Sequence, residues 1–350
     1  MSFFPEQTPA ALGYFMPAEW VTHEATWLSW PHNEETWPEV FPNIPHVFAE
    51  IVYHLSQHEQ VKINVLDVRH KQEVYDLLKT RGANMEAVKL YVIPTNDTWC
   101  RDHGPTFLLH KNGKDRGLIN WNFNSWGSKY PYELDNAVPS RIMEYEKGFH
   151  AFQPHIVMEG GSIEVNGAGT VLTTKACLLN KNRNPQLTQS QVEDYLKHYL
   201  DVKQVLWLED GIIGDDTDGH IDDLSRFVNE NTIVTIVEEN PEDENFKILQ
   251  ENLHLLQSMR DLDGNPFQIV TLPMPAPVFL QGLRLPASYA NFYIANEIVL
   301  VPIFDDKNDQ KALEILQACF PTRKVIGINC RELVLGLGTL HCISQQEPQY

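Results

Sequence analysis

The feature that most constrains the fold is a unit of secondary structure that recurs along the chain. Each unit has an apolar, β-branched run, a turn rich in Asn, Asp and Pro, a helical pattern and a second apolar run. The first runs of three units are centred on Val171, Val234 and Val299, with spacings of 63 and 65 residues. A period longer than about 50 residues favours a small number of mixed α/β repeats around an axis. An ordinary α/β sheet with irregular connections is the alternative.

The helices of these units are predicted from apolar residues that recur on one face. In the unit of Val171 the helix follows Thr188 and Gln191, which are spaced as a capping box. The next two helices are expected to begin near Pro241 and near Asn308. The other predicted strands are Ala25–Trp30, Lys62–Leu66, Thr106–Leu109, Ser162–Val165, Gln268–Leu272 and Lys324–Ile328.

Composition limits the class of protein. A chain of 350 residues that is 43% apolar can bury a sizeable core. Its formal charge of −20 argues against nucleic-acid binding, which needs clustered Lys and Arg. Five cysteines without a CxxC pair favour a reducing compartment. Because no targeting segment and no run of 18 apolar residues occurs, we expect a soluble cytoplasmic protein with no membrane partner.

Cys342 lies in the segment Gly336–Pro348, which combines two glycines, a histidine, a thiol and several amides. A packed core would not gather these residue types near a chain end. We therefore interpret the segment as a loop that holds a reactive sulfur in a polar cleft.

His220 lies among five carboxylates in the segment Asp215–Asp223. Like charges this close are costly unless they bind a cation. The spacing does not fit an EF-hand, because Gly214 would stand where that loop requires Asp. Two interpretations stay open: a solvated acidic loop, or a site in which Asp216 and Asp222 bind an organic cation while His220 transfers protons.

Two shorter motifs offer further carboxylates. In Trp99–Pro105, Arg101 and Asp102 form either a surface ion pair or, through Asp102, a second contact for a guanidinium stacked on Trp99. In the same motif Cys100 is expected to be a buried neighbour and His103 a structural residue. Glu159 precedes two glycines that permit close backbone approach, so its side chain is either exposed on a turn or held in a site.

Together these signals fit attack by a thiol on a cationic carbon. Guanidinium is planar and its donors match pairs of carboxylates. Its charge would also favour a thiolate over a thiol. A Cys–His protease is the alternative, although peptide hydrolysis needs no group of acids around the carbonyl.

The sequence resembles the agmatine deiminases, which belong with bacterial peptidyl-arginine deiminases to the guanidino-group-modifying (pentein) superfamily. The matching segments run along most of the chain: Met16–Trp20, Asn96–Trp99, Arg101–Asp102, Gly104–Pro105, Glu159–Glu164, Asn180–Pro185, Thr217–Asp222, Pro286–Tyr293, His341–Cys342 and Gln345–Gln346. This resemblance implies one catalytic domain over residues 1–350, an α/β propeller of five ββαβ-type units around a pseudo-fivefold axis.

The resemblance also implies roles for single residues. Cys342 would attack the guanidinium carbon, His220 would act as acid and base, and Glu159 would orient His220. Asp102 and Asp222 would bind the guanidinium nitrogens, while Asp216 and Trp99 would contact the rest of the substrate. The products would be N-carbamoylputrescine and ammonia, with no metal and no organic cofactor. A homo-oligomer is compatible with the sequence.

The chain departs from the family pattern at Gly336–Leu340, where Gly-Gly-Gly-Asn-Ile is common and Thr339 replaces the Asn. Asp216 is also shorter than the Glu of some relatives. These differences leave open a peptidyl-arginine deiminase and a relative that acts on arginine or dimethylarginine, with Arg101 or Arg226 binding the α-carboxylate. A catalytically inactive polyamine-binding module is disfavoured by the intact Cys342, His220 and Glu159.

Overall fold

The computed structural model describes residues 7–350. The runs centred on Val171, Val234 and Val299 are the middle strands of three three-stranded sheets. Each is fully buried or nearly so, as strands covered on both faces require.

The strands in chain order are β1 Tyr14–Phe15, β2 His23–Ser29, β3 Gln60–Val65, β4 Val88–Val92, β5 Thr106–His110, β6 Arg116–Ile119, β7 Phe149–Phe152, β8 Glu164–Val165, β9 Thr170–Thr174, β10 Gln204–Leu208, β11 Ser225–Asn229, β12 Thr232–Val237, β13 Gln268–Pro273, β14 Phe279–Leu280, β15 Leu283–Arg284, β16 Tyr293–Ile294, β17 Ile298–Ile303, β18 Lys324–Asn329 and β19 Ser344–Pro348. The α-helices are α1 Ile44–Leu55, α2 Val68–Arg81, α3 Cys100–His103, α4 Ser125–Ser128, α5 Glu133–Asn136, α6 Val138–Tyr145, α7 Lys175–Leu178, α8 Gln189–Leu200, α9 Phe246–Ser258 and α10 Asp309–Cys319. Short 3-10 turns span Phe41–Asn43, Gly160–Ser162, Ile221–Asp223 and Leu333–Gly336.

One connection pattern is used repeatedly. A leading strand pairs antiparallel with a middle strand, and a helical segment then connects the middle strand to a parallel third strand. This order holds for β8-β9-β10, β11-β12-β13 and β16-β17-β18. It also holds within the two four-stranded sheets, for β5-β6-β7 and for β19-β2-β3. The last strand of the chain is thus the leading strand of the sheet that β2 and β3 continue. Strands β14 and β15 form a separate hairpin.

The helices pack their apolar faces on these sheets. Helix α8 buries Val192, Leu196, Tyr199 and Leu200, and its N-terminus has the predicted capping box of Thr188 and Gln191. Helix α10 follows Asn308 as expected. Much of the core is one continuous cluster between the sheets. The largest fully buried side chains of the described residues include Trp27, Trp37 and Tyr289.

Three sequence predictions differ from the structure. Helix α9 begins at Phe246 and not near Pro241, because the side chains of Asn240 and Asp243 accept backbone N–H groups in turns before it. The strand expected at Ser162–Val165 is shortened to β8 by the 3-10 turn Gly160–Ser162. The loop expected to continue to Pro348 ends at β19, which pairs with β2.

None of the helices within residues 7–350 has both the length and the apolarity that crossing a membrane requires. The five cysteines are all free thiols.

Candidate active site

The predicted site residues lie just ahead of the leading strands of the repeated units. Asp102 is in α3 before β5, and Glu159 comes directly before the 3-10 turn that leads to β8. His220 and Asp222 occupy the corresponding place before β11, and Cys342 lies just before β19. Asn291 lies at the same position before β16. It falls in the matching segment Pro286–Tyr293, but the family resemblance assigned it no role. The fold therefore assembles the site from equivalent points of separate sheets.

Cys342 is buried, and its sulfur is surrounded by hydrogen-bonding groups. The Nδ2 of Asn291 donates to the sulfur at 3.1 Å, and the Oδ2 of Asp222 lies 3.9 Å from it. Burial raises the pKa of Cys342 well above its ordinary value, and Asp222, Asp223 and Asp102 add to that shift. Without a cation beside it, the sulfur is therefore a thiol and not the thiolate that nucleophilic attack needs.

The imidazole of His220 is fully buried and lies between two carboxylates. Its Nδ1 is 3.7 Å from the Oδ1 of Asp102, and its Nε2 is 4.0 Å from the Oε2 of Glu159. Both distances exceed a hydrogen bond. Burial lowers the pKa of His220 well below its ordinary value, and the positive charge of Arg183 adds to the shift. A neutral imidazole with this environment can accept a proton during a reaction.

Glu159 is oriented by an arginine that sequence reasoning overlooked. The Nε of Arg183 donates to the Oε1 of Glu159 at 2.6 Å, while its Nη1 donates to Asp218 at 2.6 Å. Burial raises the pKa of Glu159, although Arg183 opposes that shift. The Oε2 of Glu159 has no hydrogen-bond partner among the described residues. Arg183 lies in Asn180–Pro185, which the family resemblance marked without assigning it a function.

Asp102 and Asp222 flank the backbone of Gly161. A Cβ on Gly161 would lie 2.6 Å from the Nδ1 of His220, 2.9 Å from the Oδ1 of Asp102 and 3.0 Å from the Oδ2 of Asp222. Only glycine leaves room for these three groups to converge.

The two aspartates are held by different partners. Asp102 accepts hydrogen bonds from the Nε1 of Trp126 and the amide of Gly161, both at 2.9 Å. Burial, together with Glu159, raises the pKa of Asp102 to about 7. Burial and then Asp102 raise the pKa of Asp222 well above its ordinary value, and the Oδ2 of Asp222 lies 2.7 Å from His341.

A cavity of about 1270 Å³ lies beside these residues, and its lining includes Cys342, Asp102 and Trp99. A Cβ at Gly338 would lie 2.6 Å from the ring of Trp99 and 3.0 Å from the Cβ of Cys342. Gly338 therefore lets the indole pack close to the thiol. Trp99 thus lies beside the thiol at the cavity wall, and its contact with a substrate stays a prediction.

Asp216 also lines the cavity but is only half-buried, unlike Asp102 and Asp222. Its Oδ1 is 3.2 Å from the Nζ of Lys129, which is also 3.2 Å from Asp218. The hydroxyl of Tyr130 donates to its Oδ2 at 2.8 Å. The structure thus brings together Cys342, His220, Glu159, Asp102 and Asp222, with Trp99 adjacent, and places Asp216 farther out with a cation already beside it.

The remaining motif residues are buried. Arg101 is buried and donates to Gln346 at 2.7 Å, so the surface ion pair with Asp102 does not form. Cys100 is buried, and burial raises its pKa to about 12. His103 is buried, and burial lowers its pKa to about 3. Thr339 donates to the Oδ1 of Asn291 at 2.8 Å and so shapes the loop before the thiol.

Within residues 7–350, three buried groups place potential metal ligands within 4.8 Å of one another: Glu159, Cys177 and His220; Glu19, Glu164 and His341; and Asp222, Asp223 and Cys342. Arg183 already donates to Glu159 and lies 4.0 Å from the sulfur of Cys177. Arg226 donates to both Glu19 and Glu164. In the first two groups the positive charge of an arginine therefore balances the negative charge of the carboxylates. The third group includes the thiol itself, so a cation there would face two carboxyl groups and the sulfur of Cys342.

The fold and the site define a mixed α/β protein in which a buried thiol and imidazole face paired carboxylates beneath a cavity. A model of the Porphyromonas-type peptidyl-arginine deiminase family matches residues 15–348. A putative agmatine deiminase of Legionella pneumophila is 37% identical over 344 residues, covering 97% of each chain. The agmatine deiminase of Pseudomonas syringae pv. tomato is 36% identical over 364 residues, also covering 97% of each.

Solved structures are similar over nearly the whole chain. The agmatine deiminase of Enterococcus faecalis has a TM-score of 0.90 at 33% identity, covering 98% of both chains. A Cys-to-Ser variant of C. jejuni agmatine deiminase with substrate bound has a TM-score of 0.87 at 35% identity, covering 95% of this chain and 96% of that one. The chain belongs to the Porphyromonas-type peptidyl-arginine deiminase family.

Proposed function

We propose that the protein hydrolyses agmatine to N-carbamoylputrescine and ammonia through a covalent intermediate on Cys342. The observation that carries this proposal is the convergence of Asp102, Asp222 and His220 around Gly161, with the Cys342 sulfur 3.9 Å from Asp222. Two acids can bind the donors of a guanidinium while the thiol faces its carbon. Relatives named agmatine deiminase, at 36–37% identity over almost the full chain, support this substrate.

Binding of the substrate would prepare the site for chemistry. The Oδ1 of Asp222, the Oε2 of Glu159 and both ring nitrogens of His220 have no hydrogen-bond partner in the described part of the chain, residues 7–350. Unpaired buried polar groups are costly, so donors from a guanidinium would relieve this cost. The positive charge would also stabilise the Cys342 thiolate that the free site disfavours.

The reaction would then proceed in two halves. The Cys342 proton passes to His220, and the thiolate forms a C–S bond to the guanidinium carbon. His220 returns the proton to the departing nitrogen, the C–N bond breaks, and ammonia leaves an S-alkylthiouronium. Water, deprotonated by His220, then adds to that carbon. The C–S bond breaks as His220 returns its proton to the sulfur, and the hydroxyl proton of the adduct leaves to solvent, which gives the ureido product, the thiol and a neutral imidazole.

The far end of the substrate would lie in the cavity, with Trp99 along its carbon chain and Asp216 near its amine. Arg101 and Arg226, the residues considered as partners for an α-carboxylate, are buried in contacts with Gln346 and Glu19. These buried contacts disfavour a role for either residue in binding the α-carboxylate of arginine. Lys129 neutralises part of Asp216, so an incoming amine must compete with it.

The experiment that tests this function measures the ureido product from agmatine, free arginine and an arginyl peptide, side by side at equal concentration. Agmatine should be preferred, and Cys342→Ala should form no product while still binding agmatine. Preference for the peptide would make the protein a peptidyl-arginine deiminase. Ammonia released at the wild-type rate by Cys342→Ala would refute the role of the thiol.

The proposed function includes a proposed arrangement of the repeated units. Five repeats of the ββαβ order would surround a pseudo-fivefold axis and form one catalytic domain in the cytoplasm. The pairing of β19 with β2 supports a single domain, because it joins the two ends of the described chain in one sheet. Sedimentation of the purified protein would decide whether it forms a homo-oligomer.

A further inference from the structure

His341, the residue before the thiol, links the substrate-binding Asp222 to a second acid. Its Nδ1 lies 2.7 Å from the Oδ2 of Asp222, and its Nε2 lies 2.8 Å from the Oε2 of Glu19. All three side chains are buried. The imidazole therefore bridges two carboxyl groups in a place that solvent does not reach.

Counting donors and acceptors assigns the protons in the free protein. Glu19 accepts from the Nη2 of Arg226 and the amide of Ile294, both at 2.7 Å. Burial alone would raise the pKa of Glu19, but the charges of Arg226 and Arg101 and the hydrogen bond with His341 hold it well below its ordinary value. An ionised carboxylate only accepts hydrogen bonds, so the Nε2 of His341 must donate to Glu19.

The other ring nitrogen then has a lone pair. Burial, Arg101 and Arg226 lower the pKa of His341 well below its ordinary value, which indicates a neutral ring whose Nδ1 is an acceptor. At 2.7 Å, the Oδ2 of Asp222 must be the donor. Asp222 is thus a carboxylic acid in the free protein, in agreement with burial and the neighbouring Asp102, which raise its pKa well above its ordinary value.

We propose that His341 is a positioning residue that takes the proton of Asp222 when the guanidinium binds. The O–H bond of Asp222 breaks and an N–H bond forms at the Nδ1 of His341. The result is a carboxylate facing the guanidinium and an imidazolium between Asp222 and Glu19. No proton leaves the site, and no water need enter it.

The charges around His341 favour the neutral ring until the ligand arrives. Arg101 from α3 and Arg226 from β11 oppose an imidazolium. Glu19 and, from β8, Glu164 favour it, although both are paired with Arg226. A guanidinium beside Asp222 changes this balance because it stabilises the Asp222 carboxylate, which in turn stabilises the imidazolium. The inference rests on the proposed function, since it needs a guanidinium ligand.

The test uses Cys342→Ala protein, which should bind agmatine without turnover. At pH 8, calorimetry in two buffers of different ionisation enthalpy counts the protons released on binding. Nitrogen NMR of labelled histidine reports the protonation of His341. We expect almost no proton release, a bare Nδ1 in the free protein and a protonated Nδ1 in the complex.

Two matched variants remove the proton acceptor without emptying the site. His341→Asn keeps a polar group near Asp222, and His341→Gln keeps one near Glu19. In both, about one additional proton should be released at pH 8 and agmatine should bind about tenfold or more weakly. His23→Gln is the control, because His23 is also buried and lies 2.6 Å from the backbone oxygen of Glu19 but does not contact Asp222. His23→Gln should lower the stability of the fold without changing the number of protons released when agmatine binds.

The outcomes separate the two proposals. If agmatine binds but the Nδ1 of His341 stays unprotonated, or if its imidazolium is already present in the free protein, this inference is wrong and the proposed function stands. If agmatine does not bind Cys342→Ala and the wild type releases no ammonia from it, the proposed function fails and this inference fails with it.

Discussion

At the residue scale, Asp102 controls how the site responds to pH. Its pKa is raised to about 7 in the free protein, so below that pH it carries a proton that a guanidinium must displace. Raising the pH removes this proton in advance, and affinity should therefore increase as the pH rises to about 7. For one required deprotonation the change approaches tenfold per pH unit.

Calorimetry of agmatine binding to Cys342→Ala from pH 5.5 to 8.5 measures this dependence. Trp126→Phe sharpens the test, since it removes the indole donor 2.9 Å from the Asp102 carboxylate. Losing a donor to the charged form raises a carboxyl pKa, so the rise in affinity should move to higher pH. A dissociation constant that is the same across this range would contradict the assignment.

Gly161 provides a second residue-scale prediction. In Gly161→Ala the added Cβ would meet the His220 ring at 2.6 Å and must displace it or the aspartates. Displacements of about 1 Å at a catalytic group can cost on the order of 10²-fold in rate. We expect kcat to fall by about that factor. Gly264→Ala is the matched control: no heavy atom lies within 4 Å of its Cβ, so kcat should be unchanged despite its φ of +86°.

At the element scale, Arg183 connects the segment between α7 and α8 to two site segments. It donates to Glu159 before β8, and to Asp218 and the backbone oxygen of Thr217 before β11. Arg183→Met would leave Glu159 buried without its cation, which costs about 3–5 kcal/mol for a buried pair. Urea unfolding should show a loss of that order, and Arg183→Lys should recover only part of it because an ammonium cannot make all three contacts.

Arg141→Met is the control, because it removes an arginine that has no contact with the site segments. Arg141 is exposed and lies 3.2 Å from Glu144 on α6. Exposed pairs of this kind contribute about 0–1 kcal/mol. Equal losses in the two Met variants would show that Arg183 does not support the site in the way its contacts indicate.

At the scale of the whole molecule, Glu347 connects the last strand, β19, to strands β2, β3 and β6. It accepts from Trp27 and Lys62 at 2.8 Å each and from Arg116 at 2.9 Å, and it is fully buried. Glu347→Gln removes the charge that balances buried Lys62, at a cost of about 3–5 kcal/mol. Because β19 directly follows Cys342, activity should fall together with the melting temperature.

Thermal unfolding and ammonia release of the same samples test this coupling. Glu314→Gln changes an exposed glutamate on α10 that contacts Gln310 at 2.9 Å, and it should alter neither quantity. A Glu347→Gln protein that melts early but retains full activity at low temperature would show that the closure of β19 on β2 is not needed to position the thiol.

Much of the element order could be predicted from local patterns. The buried strands at Val171, Val234 and Val299 and the capped helix after Thr188 depend on periodicity and capping, which neighbouring residues determine. The start of α9 and the strand β19 were predicted wrongly. Helix α9 begins later than predicted because the side chains of Asn240 and Asp243 accept hydrogen bonds in turns before it. The segment predicted as a loop forms β19 because it pairs with β2, which is distant in the sequence.

The sequence by itself determined the repeated units and pointed to the candidate thiol, the candidate imidazole and the carboxylates expected to meet a cation. Only the tertiary structure decided which groups support them: Arg183 against Glu159, Asn291 against Cys342, and His341 between Asp222 and Glu19. It also decided their pKa values, since burial and neighbouring carboxylates raise those of Cys342, Asp102 and Asp222 in the free site. The reason is physical, since pKa values depend on burial and on charges brought together from distant parts of the chain.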